Sequence, residues 1–505
     1  MTRTLTLQQS PRTSPYPVSR ALPSPESSHL ACAVRREMSE HPAELSGFYL
    51  MQDGLSAFAA RAALVQEACV SLDLQYYIYE DDSAGRVLLS LLLKAADRGV
   101  RVRLLVDDLG TRVVNPLVLT LDEHPLIEIR VFNPVTGRSG IRRALEQAAN
   151  FGRINHRMHN KLLLADGLVM ITGGRNIADG YFSRADVEFL DVDVMALGGV
   201  VPDAEQVFDD YWNNPVSVPV SELPLNSLDE RNLDDLRCEV SRFLESEAKS
   251  EFTQALRQSK IASEMLAGAI PFQWGKATLL ADPPDKALCR DSIPREKFPG
   301  YQLEKTIRDS RANLRISAAY FIPGSVGTAL FTELQERGVN VDILTNSLSS
   351  NDVAIVHGAY ARYRKKLLRR GVDLWELRRA PGEKRRKRWF QGESRATLHA
   401  KTFIIDDDLG FVGSINLDSR SILQNTEIGL LMENEAINRE LNALFEDWVA
   451  GDSAWRVSLD ARGNIRWRAR DDNGGLMLAT KDPDTTLWQR TLSWALSWLP
   501  IESQI

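Results

Sequence analysis

One duplication constrains this chain more than any other feature. His159-Asn160-Lys161-Leu162-Leu163-Leu164-Ala165-Asp166 is matched by His399-Ala400-Lys401-Thr402-Phe403-Ile404-Ile405-Asp406, so H-x-K-x4-D occurs twice. After six intervening residues in each copy come Gly173-Gly174-Arg175-Asn176 and Gly413-Ser414-Ile415-Asn416. A lone H-x-K arises easily by chance and usually lies on a solvated strand. Two copies that agree at His, Lys, Asp, Gly and Asn with equal spacing are a repeat. The likeness extends upstream. Leu72–Ile78 and Leu314–Ile322 read as strands, followed by helical patterns ending at Gly99 and Gly338 and by the strand patterns Val100–Val106 and Val339–Leu344. Glycine at that point is a usual helix C-cap. Strand, helix and strand make a βαβ unit, which predicts a largely parallel, buried sheet.

The period is too long for a solenoid and fits a duplicated α/β domain. The expected units are a flexible N-terminal tail over 1–45, domain 1 over 46–215, a linker with a helical segment over 216–265, domain 2 over 266–450 and a C-terminal extension over 451–505. That extension carries a Trp-rich amphipathic segment.

Strand alternation places His159 and Lys161 on one face. Asp166-Gly167 is a hairpin signal, with Leu168–Thr172 as the return strand. The hairpin presents an imidazole beside an ammonium and leads into a glycine turn that can form an anion nest. Facing copies would gather two histidines, two lysines and two asparagines. That set suits a phosphodiester: lysines neutralise the phosphoryl oxygens, amides donate hydrogen bonds, and the imidazoles serve as nucleophile and general acid.

The hydrophobic fraction of 44% and charged fraction of 26% exclude a disordered or collagen-like chain. A net charge of −7 argues against general nucleic-acid coating. Cys32, Cys69, Cys238 and Cys289 contain no CxxC pair, which fits neither a structural zinc site nor a disulfide scaffold. The N-terminal residues lack the apolar stretch of a signal peptide, and no run of 18 apolar residues exists to span a membrane.

The paired motifs resemble those of the phospholipase D superfamily, with likeness over about residues 46–450. The resemblance implies two phospholipase D-like α/β domains, with mixed, largely parallel sheets flanked by helices, sharing one active site. It implies a phosphohistidine intermediate and neither cofactor nor catalytic metal. Carried over by position, the catalytic set is His159, Lys161, Asp166, His399, Lys401 and Asp406. One histidine attacks, and the other protonates the leaving alcohol. Lys161, Lys401, Asn176 and Asn416 bind phosphoryl oxygens. Ser414 and Gly174 occupy equivalent substrate-binding positions, with a hydroxyl on one side only. Glu427 and Asp191 are the acids that orient the opposite histidines, Glu188 and Asp193 being close competitors of Asp191. His156 has no counterpart and reads as a supporting or solvated residue.

Leu74–Ile78, Asp97–Val100, Arg157–Lys161, Thr345–Leu348 and His357–Arg364 add likeness to bacterial cardiolipin synthases of the branch without N-terminal transmembrane helices. This implies a phosphatidyltransferase making cardiolipin from phosphatidylglycerol and a second phospholipid, possible donors including phosphatidylethanolamine. A phospholipid hydrolase is the alternative, and a nuclease the third reading. The need for a protein partner stays open. Access to lipid would come from peripheral attachment to the cytoplasmic face of the inner membrane. Between Arg362 and Arg388 there are thirteen Lys/Arg against three Asp/Glu, a basic stretch suited to an anionic leaflet, with a solvated loop and a nucleic-acid contact as the other readings. Trp488, Trp494 and Trp498 mark an interfacial segment, for which docking on the core is an equal reading.

Overall fold

The chain builds the same sequence of elements twice. The first half contains β1 (Ser46–Met51), β2 (Ser71–Tyr76), β3 (Arg101–Asp107), β4 (Ile127–Phe132), β5 (Lys161–Ala165), β6 (Val169–Gly173), β7 (Glu188–Leu190), β8 (Asp193–Gly198) and β9 (Ser217–Pro219). The second contains β10 (Gln273–Ala281), β11 (Asn313–Ala318), β12 (Asn340–Asn346), β13 (Asp373–Leu377), β14 (Ala396–Leu398), β15 (Lys401–Ile405), β16 (Leu409–Gly413) and β17 (Ile428–Glu433). The C-terminal extension adds β18 (Ala454–Leu459), β19 (Ile465–Arg470) and β20 (Leu476–Ala479). The computed structural model describes residues 14–111, 116–134, 156–184, 188–223, 232–351, 354–378, 396–451, 453–471 and 474–497.

Local chemistry sets the crossovers. Asp82 caps the helix Ser83–Asp97 by accepting the Gly85 N–H at 3.0 Å. Gly99 ends it at φ +99°, in the left-handed region that glycine tolerates. Gly338, at φ +86°, does the same after the helix Gly324–Glu336. These helices return the chain to β3 and β12, each parallel to the strand before it.

The strand pairings join both halves in one sheet, mirrored about the antiparallel contact of β1 with β10. From that contact the first half runs β8, β6, β5, β2, β3, β4, β9. The second runs β17, β16, β15, β11, β12, β13, then β18, β19 and β20. The sheet is mixed, as the duplicated fold requires. Its parallel share is smaller than expected, being confined within each half to β2–β3–β4 and β11–β12–β13. The motif strands β5 and β15 turn back through tight hairpins, and such short links can join only antiparallel neighbours. One apolar cluster fills each half. A third lies between them, with Phe48, Leu162 and Met170 against Leu344, Leu430 and Phe445.

Two further expectations change. Residues 14–45 are not a loose tail. Arg103 and Arg130, both fully buried, donate to the carbonyls of Ser19 (2.9 Å) and Pro17 (3.0 Å), and Arg101 reaches that of Arg20. Buried guanidiniums need more acceptors than the nearby carboxylates offer, and this segment supplies them. The helix His29–Met38 follows. Residues 1–13 lie outside the described residues.

The motif aspartates are the second correction. Asp166 and Asp406 sit at the hairpin turns, at the far ends of β5 and β15 from the histidines, with φ of 55° and 51°. Asp166 accepts the N–H groups of Cys69, Val70 and Ser71 at 2.8–3.2 Å. Asp406 accepts those of Arg311, Ala312 and Asn313 at 2.8–3.1 Å. They bind the hairpins to the starts of β2 and β11 and take no part in the cleft. Asp166→Asn is therefore expected to lower unfolding free energy by about 1–3 kcal/mol through weakened acceptance of those donors. Denaturant melts should show the loss, with turnover per folded molecule unchanged.

Candidate active site

Each histidine is delivered by its own half and held by the other. Ahead of β5, Met158 bridges Thr426, and the His159 N–H donates to the Thr426 carbonyl at 2.8 Å. Ahead of β15, β14 pairs in parallel with β7, and the His399 N–H donates to the Leu190 carbonyl at 2.9 Å. The next residues of those opposite segments are Glu427 and Asp191. Side chains at the ends of β3 and β12 hold the approach to each motif. Asp107 accepts the Met158 N–H at 3.0 Å, and Asn346 accepts that of Leu398 at 2.9 Å.

The acids meet the histidines across the halves. His159 Nδ1 donates to Glu427 Oε2 at 2.9 Å, and His399 Nδ1 donates to Asp191 Oδ2 at 2.7 Å. Ser414 Oγ and Ser421 Oγ donate to the two Glu427 oxygens at 2.5 and 2.6 Å. Burial, helped by the two lysines and opposed by Glu427, lowers the His159 pKa to about 4. Burial and Lys401 likewise lower that of His399. Burial works against ionisation of Asp191 and Glu427, but their histidine and lysine partners outweigh it and hold both below the usual carboxylate range. At neutral pH the site thus holds two carboxylates and two neutral imidazoles, each with its proton on Nδ1. Both Nε2 atoms remain for chemistry.

Lys161 Nζ donates to the His159 carbonyl at 2.7 Å and lies 5.4 Å from the Tyr77 ring centroid. Burial, reinforced by Lys401, pulls its pKa well below that of a free lysine. Lys401 Nζ bonds the His399 carbonyl. Each lysine's charge disfavours that of the other, so an anion bound beside both favours their charged forms.

The remaining expected residues divide. Asn176 Oδ1 accepts the Ile78 N–H at 3.1 Å, and its Nδ2 donates to the Tyr181 hydroxyl at 2.9 Å. Asn416 Oδ1 accepts the Tyr320 N–H at 3.4 Å. A Cβ on Gly174 would fall 2.1 Å from Asp191 Oδ1, so the carboxylate fills the place of a side chain. Ser414 spends its hydroxyl on Glu427. Asp193 pairs with buried Arg61 at 2.9 Å and accepts the Arg175 N–H, which makes it a framework residue. His156 Nδ1 meets the Gln424 carbonyl at 2.7 Å, bridging the halves.

Sequence reasoning missed the Asp107 and Asn346 braces, although aligning the repeats places them at equivalent strand ends. It also missed the aromatic walls, Tyr77 beside His159 and Tyr181 with Phe189 beside His399. Among the described residues no group of three or more His, Cys, Asp or Glu side chains could hold a metal ion.

Glu427→Gln and Asp191→Asn keep the packing but remove the charge that fixes the Nδ1–H tautomer. Loss of such an orienting carboxylate costs on the order of 10²–10⁴ in kcat. Steady-state turnover of a phosphodiester substrate should fall by that amount, with little change in KM.

A family model described as cardiolipin synthase, PLD-like domain, matches residues 62–212 and 303–448. Cardiolipin synthase C of Escherichia coli K12 is 39% identical over 477 residues, covering 94% of this chain and 99% of that protein. Cardiolipin synthase A of Pseudomonas putida GB-1 is 26% identical, covering 79% and 67% respectively. The crystal structure of phosphatidylserine synthase from Haemophilus influenzae Rd KW20 shares the fold, with a TM-score of 0.54 at 12% identity over 84% of this chain and 92% of that one.

Proposed function

The chain belongs to the cardiolipin synthase family of phospholipase D-like proteins, and on that premise we propose that it is a phosphatidyltransferase making cardiolipin from phosphatidylglycerol and a second phospholipid. The observation that carries the reading is the crossed pair of buried His–carboxylate bonds beside two lysines. The phosphodiester of the donor lipid binds between Lys161 and Lys401. His159 Nε2 attacks phosphorus while His399 protonates the departing alcohol oxygen. The bound anion offsets the two ammonium groups, which favours the imidazolium of His399 on Asp191. A hydroxyl of phosphatidylglycerol then gives its proton to His399 Nε2 and displaces His159. His159 suits the nucleophile because Glu427 is braced by two serines. His399 suits proton transfer because its Nε2 lies 3.4 Å from the Tyr181 hydroxyl.

Purified protein with labelled phosphatidylglycerol, with and without phosphatidylethanolamine, tests this reading. Cardiolipin is the expected product. Phosphatidic acid alone would make the protein a hydrolase. His159→Ala and His399→Ala should each lower the rate by at least about 10³, since neither role has a substitute.

The localisation we propose is peripheral attachment to the cytoplasmic face of the inner membrane. No helix among the described residues is long and apolar enough to cross a membrane. The helix Leu487–Leu496 turns buried Ser493 toward the helix Ala354–Arg369, where Gly358 lies beneath its carbonyl. Leu487, Trp488 and Trp494 on that helix are more than 60% exposed, as are Leu476 and Leu478 on β20. Docking and interfacial exposure therefore occupy different sides of one element; Trp498 lies outside the described residues. So does Lys384–Arg388 of the basic stretch, while Arg378 is buried and donates to the Arg470 carbonyl at 3.0 Å. Changing Trp488 and Trp494 together to Ser should weaken binding to phosphatidylglycerol vesicles about tenfold, as loss of interfacial aromatic area predicts. Co-sedimentation should show this loss at both low and high salt.

A further inference from the structure

The repeat also breaks its symmetry just beyond the motif. Five residues beyond each motif asparagine stand Tyr181 and Ser421. Ser421 Oγ donates to Glu427 Oε1 at 2.6 Å and so supports the acid of the His159 pair. Tyr181 faces the other histidine. Its hydroxyl receives Asn176 Nδ2–H at 2.9 Å and lies 3.4 Å from His399 Nε2. The ring is only 6% exposed, stacks on Phe189 at 4.6 Å and meets the His399 imidazole edge-on at 5.0 Å. Phe189 adjoins Leu190, whose carbonyl accepts the His399 N–H, so ring and imidazole are registered by the same strand.

We propose that Tyr181 is a positioning residue that holds water away from His399 Nε2, and so directs the phosphohistidine toward lipid transfer instead of hydrolysis. The inference rests on the phosphatidyltransferase reading. Both outcomes use the same step. An O–H proton passes to His399 Nε2, the oxygen forms a bond to phosphorus, and the bond from phosphorus to His159 Nε2 breaks. They differ in whether the oxygen belongs to phosphatidylglycerol or to water, giving cardiolipin or phosphatidic acid. The reacting oxygen must stand at His399 Nε2, where the Tyr181 hydroxyl rests. A bound acceptor can displace that long contact with binding energy drawn from the rest of the lipid. A water molecule brings no such energy. Without the hydroxyl, the Asn176 Nδ2 donor and the Nε2 acceptor would face a gap offering water two polar partners.

The test measures cardiolipin and phosphatidic acid together from vesicles of phosphatidylglycerol and phosphatidylethanolamine, for wild type and Tyr181→Phe. The phenylalanine ring preserves the stack and removes only the hydroxyl. The ratio of phosphatidic acid to cardiolipin should rise about threefold to tenfold, the span of one hydrogen bond. Thermal melts check that the variant is folded, and Tyr181→Leu reads the same ratio if the phenylalanine variant is not. An unchanged ratio, or equal loss of both products, would overturn the proposal and leave Tyr181 a packing residue. If wild type forms no cardiolipin at all, the transferase reading itself fails, whatever Tyr181→Phe does.

Discussion

The rest of the molecule depends on two crossed bonds, His159 with Glu427 and His399 with Asp191. Burying a carboxylate is costly unless its charge is met by good partners. Serines 414 and 421 of its own half help to hold Glu427, but the imidazole partner of each acid comes from the opposite half, so neither half completes its own pair. The mirrored sheet, the β7–β14 pairing and the apolar cluster between the halves all hold that exchange in register. A site whose acid and base lie on separate repeats is rigid only if the repeats themselves cannot slide. The continuous β1–β10 junction ties them through backbone hydrogen bonds.

Much of this was legible because a repeat exposes itself. Equal spacing around His159 and His399 gave the duplicated α/β architecture and the two imidazole–ammonium pairs. The short segment after each motif narrowed the acids to a few candidates. Choosing Asp191 over Asp193 needs the structure, because strand alternation would put both on one face, whereas Asp191 lies in the break between β7 and β8 and Asp193 begins β8. Asp193 meets Arg61, and Asp191 meets His399. The motif aspartates misled for a related reason. Constant spacing marks a constraint without saying whether it is chemical or conformational, and Asp166 and Asp406 serve the turns. The N-terminal segment was illegible because Pro, Ser and Arg suggest a loose chain, while its fixed course comes from the buried arginines 103 and 130, with half-buried Arg101 beside them.

The two halves carry different local solutions to one orientation problem. The shorter acid, Asp191, fills the space that Gly174 leaves empty. The longer acid, Glu427, accepts from Ser414, the residue at the equivalent position. Acid length and the residue after the motif glycine therefore form a matched set. A serine placed at 174 alone would collide with Asp191, and a glycine at 414 alone would strip Glu427 of a donor. Replacing one member before the other passes through a damaged intermediate. Such coupling erects a barrier in sequence space: descendants of this duplication can drift on their surfaces, yet the two motifs are kept from converging by single steps.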